Sequence, residues 1–248
     1  MSVRVKAVVE YDGTDYAGFQ RQPDRPTIQA AIEAVLKRLT GEDRTVLGAG
    51  RTDAGVHAEG QVIAFDTDWR HGWDDLQRAM NALLPAAIAV RELEVAPGGF
   101  HPRFDAVSRR YRYKILNQAI RSPLQERYAY HVSRPLDVGA MERASQEWVG
   151  VHDFATFGQP TEGESTIRQV YEVTWQVYGR QIWMEIEANG FLRHMVRSMV
   201  GTVLQVGLGE MTFEEFVENF RACERSRSAP PAPAHGLCLL LVRYAHNG

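Results

Sequence analysis

The feature that most limits what this chain can fold into is a break near its middle. Pro97-Gly98-Gly99 is followed one residue later by His101-Pro102, and the break separates two stretches that each mix strand-like and helix-like patterns. Before the break, Val3, Val5, Ala7 and Val9 alternate with Arg4 and Lys6, the period of a half-buried strand. Thr27 can then cap a helix in which Ile28, Ala31, Ile32, Val35, Leu36 and Leu39 recur at helical spacing until Gly41 stops it. Strands at 61–65 and 88–95 bracket a helix at 76–84 that ends at Pro85. After the break the pattern predicts a strand at 109–117, a helix at 138–149, and strands at 170–178 and 181–188 about a turn at Gly179. Helices at 191–206 and 213–222 follow, the second begun by a Thr212/Glu215 capping box, and a strand at 237–244 comes last. The prediction is an α+β chain of two halves, 1–104 and 105–248, suggesting a duplicated architecture, although no sequence repeat is strong enough to establish it.

The 248 residues, 44% of them apolar, suffice for a substantial core, and no apolar run is long enough to span a bilayer. Arg4 and Lys6 lead into an alternating strand and not into the apolar block of a signal peptide. Cys223 and Cys238 lack the spacing of a metal site and are too few for a disulfide framework. A cytoplasmic location fits these features best. A formal net charge of −3 argues weakly against a nucleic-acid partner. The cations are nearly all arginine, however, and they gather at Arg109, Arg110 and Arg112, at Arg193 and Arg197, and around Arg21 and Arg25. Arginine is the better bidentate and base-stacking cation. Residues 230–233, all proline or alanine, predict an exposed extended loop.

Chemistry concentrates in residues 48–65, GAGRTDAGVHAEGQVIAF, where one carboxylate, Asp53, sits inside a glycine-rich turn directly before a strand. Gly50 and Gly55 have the spacing of a Walker A loop, but Val56 and His57 stand where lysine and serine or threonine are needed. The dinucleotide fingerprint fails as well, since Asp53 replaces its third glycine. Arg51 and His57 flank the carboxylate. A plain hairpin turn capped by Asp53 satisfies the same residues. On the 109–117 strand, Tyr111, Tyr113 and Ile115 share one face and Arg110, Arg112 and Lys114 the other. Rings beside arginines can hold an unpaired base, and an ordinary core-facing strand has the same pattern. Arg193 and Arg197 lie four apart on the predicted 191–206 helix. A buried Arg197 requires an anionic partner, for which Asp53 is a candidate, whereas a snorkelling Arg197 requires none. The scattered histidines have no zinc spacing, so no catalytic metal is expected.

Together these segments resemble the bacterial tRNA pseudouridine synthase A family. The resemblance runs through EYDGTDYAGFQRQ from residue 10, GAGRTDAGVHAEGQ, NALLP from 81, FHPRFDAVSRRYRYKI from 100, VHDFATF from 151, ANGFLRHMVRSMVG from 188 and APAHGLCLLLVRY at the end. Pro102 stands where members usually carry alanine. The resemblance implies isomerisation of uridine to pseudouridine at positions 38 to 40 of the tRNA anticodon stem-loop. It makes Asp53 the catalytic carboxylate, Arg197 its salt-bridge partner, Arg51 an aid to base extrusion and Tyr111 the ring stacked on the target uracil. It further implies a duplicated two-domain fold with a mixed, largely antiparallel sheet, flanking helices and a central active-site cleft. A homodimer holding tRNA is implied too, with no cofactor. The rivals are a catalytically inert tRNA-binding chaperone of the same fold and a hydrolase that releases free uracil.

Overall fold

The computed structural model describes residues 2–160 and 163–245. In chain order the elements are β1 (Val3–Tyr11), α1 (Ile28–Thr40), β2 (Leu47–Gly48), β3 (His57–Thr67), α2 (Trp73–Leu83) and β4 (Ile88–Val95). They continue with β5 (Ala106–Asn117), β6 (Tyr130–Val132), α3 (Val138–Ser145), β7 (Gly150–Asp153), β8 (Ile167–Tyr178) and β9 (Gln181–Ala188). The last are α4 (Met195–Gly207), α5 (Phe213–Arg221) and β10 (Leu237–Tyr244). The fold is α+β with mostly antiparallel strands. It divides into two compact units, Met1–Val107 with Cys238–Gly248, and Ser108–Leu237.

In the first unit, β1 runs antiparallel to both β3 and β4, β2 pairs antiparallel with β3, and β10 joins β3 in parallel at His57 and Ala58. The alternation of β1 buries Val5, Ala7, Val9 and Tyr11 on one face. On β3 nearly every residue is buried, as expected of a strand covered on both sides. A cluster of Ala49, Val62, Ala64, Ala96 and Phe100 takes in Val8, Val242 and Tyr244. The α1 helix begins where Thr27 Oγ1 accepts the Ala30 N–H and ends at Gly41, whose φ of 78° is left-handed. The final strand, read from sequence as part of the second half, therefore pairs within the first unit; a parallel partner so distant in sequence leaves no local pattern.

In the second unit the antiparallel order is β5, β9, β8, β7, and β6 adds in parallel beside β5. Ile182, Met184 and Ile186 of β9 are buried opposite Ile115, Tyr113 and Tyr111 of β5. Trp148, Phe157, Phe216 and Phe220 interlock, with ring centroids 5.6–5.7 Å apart for successive contacts of Trp148 with Phe216 and Phe157 and of Phe157 with Phe220. The helix expected at 138–149 ends earlier, at Ser145, and tightens into a 3-10 turn, Gln146–Trp148. Residues 230–233 are not a free loop. Ala232 N–H donates to the Arg197 carbonyl at 2.9 Å, and a Cβ on Gly201 would fall 2.2 Å from the Pro230 oxygen, so α4 and this segment lie backbone to backbone.

Candidate active site

Asp53 occupies a turn braced along its whole length. Gln61, fully buried on β3, donates from Nε2 to the Gly50 carbonyl at 2.8 Å and accepts the Gly50 N–H at 3.2 Å. Ala49 N–H donates to Val62 at 2.8 Å. The Thr52 hydroxyl meets the Tyr11 hydroxyl at 2.7 Å, while the Thr52 carbonyl accepts the Phe19 N–H at 3.1 Å. Val56 N–H closes the turn on the Asp53 carbonyl at 3.1 Å, with Gly55 at φ 78°. The carboxylate-bearing residue is thus fixed by its main chain and remains only partly buried, beside an exposed Arg51.

The stretch from Tyr11 to Phe19 does most of this bracing, and two glycines make it possible. A Cβ on Gly13 would sit 2.0 Å from the Val56 oxygen, and one on Gly18, at φ 105°, would sit 2.7 Å from the Thr52 oxygen. Gly13 N–H also donates to His57 Nδ1 at 3.1 Å, with Asp12 Oδ1 3.2 Å from the same nitrogen. Asp12 in turn accepts from Thr14 N–H and Oγ1. Sequence reasoning from single residues passed over Tyr11, Gly13, Gly18 and Gln61. The signal was available in the paired Gly13 and Gly18, which a tyrosine- and aspartate-rich loop would not otherwise require.

Tyr111 and Arg197 belong to the second unit. Tyr111 is buried on β5, opposite Ile186, and meets Phe191 edge-on at 5.1 Å and 89°. Arg197 lies in the first turn of α4, where its Nε donates to the Ala232 carbonyl at 2.7 Å. The same segment is tied down by the Tyr113 hydroxyl, which donates to the Pro233 carbonyl at 2.8 Å. Burial raises the Tyr113 phenol far above its ordinary pKa, keeping it a donor. The Arg197 guanidinium is therefore oriented by a main-chain carbonyl.

Other arginines depart from the sequence reading. The helix begins at Met195, because His194 adopts a left-handed φ of 63°. Arg193 lies ahead of it, with its N–H on the Gln159 carbonyl, and shares no helical face with Arg197. On the outer face of β5, Arg110 pairs with Glu187 at 2.8 Å and Glu172 at 2.6 Å, and Arg112 pairs with Glu185 at 2.6 Å. Arg21 pairs with Glu33 at 3.2 Å. These cations are largely neutralised within the protein. Among the described residues no three His, Cys, Asp or Glu side chains gather to hold a metal ion, and no helix is long and apolar enough to cross a membrane.

A family model described as tRNA pseudouridine synthase matches residues 7–105 and 144–245. The chain belongs to the tRNA pseudouridine synthase family. Relatives named tRNA pseudouridine synthase A bear the membership out. The chain is 45% identical to that of Brevibacillus brevis, across 97% of this chain and 99% of the relative. It is 44% identical to that of Roseiflexus castenholzii, across 97% and 90%, and 40% identical to that of Geobacter sp. strain M21, across 97% and 98%. Within this synthase family the two matched segments include the braced Asp53 turn and the Arg197 helix, whereas Tyr111 falls between them.

Proposed function

We propose that the chain isomerises uridine to pseudouridine in tRNA, at positions 38 to 40 of the anticodon stem-loop, with Asp53 as the catalytic carboxylate. One observation carries this reading. Asp53 sits in a family-matched segment on a turn whose main chain is braced by Gln61, Thr52, Gly13 and Gly18, which supports a carboxylate borne on a preorganised backbone. The target uridine leaves the helical stack, and Arg51, exposed beside the turn, fills the space that it vacates. The uracil stacks on Tyr111. Breaking the bond between C1′ and N1 builds positive charge at C1′, which a carboxylate stabilises or captures, as in glycoside hydrolysis. The freed uracil turns, C5 joins C1′, the C5 proton departs and N1 gains a proton, so no redox partner or group donor is consumed. Arg197 favours the ionised carboxylate that this sequence requires.

Two copies of the chain hold one tRNA in this reading, in the cytoplasm, with phosphate contacts setting the register. The test is tritium release from a tRNA transcript labelled at uracil C5, comparing the wild-type chain with Asp53→Asn. Release that depends on Asp53, with no free uracil, is the expected result. Free uracil would mean hydrolysis. Tight tRNA binding by the wild-type chain with the tritium retained in the tRNA would leave the inert chaperone as the better reading.

A further inference from the structure

Tyr111 is not the only ring suited to a base. Residues 100–105 form a turn with several hydrogen-bonded main-chain groups, on which the Phe104 side chain is 70% exposed. Asp105 N–H donates to the His101 carbonyl at 3.1 Å, and Asp105 Oδ2 accepts the His101 N–H at 2.9 Å. The His101 Nδ1 accepts from Arg103 N–H at 3.2 Å and Phe104 N–H at 3.4 Å. On the inner side, the Phe100 carbonyl accepts from the Arg4 guanidinium at 3.0 Å and the Pro102 carbonyl accepts from the Tyr244 hydroxyl at 2.7 Å. The His101 ring lies 4.3 Å from the Phe104 ring at an angle of 32°, and the Arg103 guanidinium carbon lies 5.8 Å from the Phe104 centroid.

Single exposed apolar side chains are ordinary on protein surfaces and need no ligand. Phe104 differs in packing at a tilt against an imidazole, with a guanidinium beside it, on a hydrogen-bonded turn. Rings and arginines in that arrangement bind unpaired nucleobases whatever their identity, because every base has a π face. We propose that Phe104, with His101 and Arg103, is a second stacking platform for an unpaired tRNA nucleotide, additional to Tyr111. The proposal rests on the reading that this chain acts on tRNA. Phe100, at the base of the turn, shares its core cluster with Ala49, which precedes Asp53 in the braced loop. A nucleotide on Phe104 is thereby held by the same packed body as the carboxylate. Phe104 itself carries no charge, so the ring contributes through stacking and its loss adds little to the salt dependence of binding.

The experiment compares Phe104→Ala, Phe104→Leu and Phe104→Trp with the wild-type chain on an unmodified tRNA transcript. It measures Kd across a salt series, KM and kcat by C5 tritium release, melting temperature, and mass by sedimentation. Alanine and leucine should each weaken binding about tenfold or more, the range of one lost base stack, with the slope of log K against log salt unchanged. KM should rise while kcat holds, and tryptophan should restore both. Binding of Phe104→Ala within about twofold of the wild-type value would overturn the platform, as would a leucine variant as good as phenylalanine. A fall in sedimenting mass would also overturn it, by making Phe104 a contact between copies. A wild-type chain that releases no tritium would sink the isomerase reading instead, and the binding series would still decide the platform.

Discussion

Gln61→Leu should separate the position of Asp53 from its chemistry. The substitution keeps an apolar stem on β3 but removes both hydrogen bonds to Gly50, at 2.8 and 3.2 Å. Each orphaned main-chain group costs about 1–3 kcal/mol when fully buried. Gly50 is only half-buried, so water recovers part of that loss and the sum comes to about 2 kcal/mol. For a chain of this length each kcal/mol lowers Tm by about 2–4 °C, giving a fall of about 4–8 °C. The kinetic effect should be larger in proportion. With the turn released from β3, a displacement of about 1 Å at Asp53 is expected to slow the chemical step about 100-fold, while tRNA contacts elsewhere keep Kd near its wild-type value. Calorimetry gives the first number and single-turnover tritium release the second. A Gln61→Leu chain with wild-type Tm and a wild-type rate would refute the claim that this amide pair positions the carboxylate.

Two further outcomes follow from the second unit. Tyr113→Phe removes the bond to Pro233 and should lower stability by about 1 kcal/mol in denaturant melts; it should also reduce kcat, because the neighbouring Ala232 carbonyl holds Arg197. His235 should make stability fall on acidification. Burial holds its pKa below the usual value near 6.5 and the neighbouring Arg197 pushes the same way, against Glu126 and a hydrogen bond with the Ala129 backbone. The folded state therefore favours neutral His235; its contribution is complete above pH 6.5 and is lost as pH drops through the depressed value. Melts between pH 7.5 and 5 should show a shallower decline for His235→Gln than for the wild-type chain.

Local patterns were the legible part of the sequence. The Thr27 and Gly41 caps, the Thr212/Glu215 capping box and the strands β4, β9 and β10 stand where side-chain periodicity and capping chemistry put them. What escaped was set by distant partners or by one unusual dihedral. The β2, β6 and β7 strands are short, and pairing with β3, β5 and β8 defines them more than composition does. His194 halts the backward extension of α4 by a left-handed conformation that a leucine- and methionine-rich pattern hides. The second face of β5 reads as a cationic strip in sequence. It becomes an ion-pair lattice only because β9 and β8 bring Glu185, Glu187 and Glu172 across from it. The glycine-rich turn at Asp53 was legible, but its bracing was not, since Tyr11 reaches it from the end of β1 and Gly13 and Gly18 from the loop that follows.

The parallel pairing of β10 with β3 sets an order of events during synthesis. Cys238 and Leu239 lie against His57 and Ala58, the residues through which the chain leaves the Asp53 turn. Tyr244 buttresses Phe100 and Pro102. On the ribosome, the first unit emerges long before the strand that finishes its sheet, and the whole second unit is made in between. A nascent chain stalled before residue 237 would carry every residue of the Asp53 turn yet lack one wall of its support, so activity should arrive late and abruptly in translation.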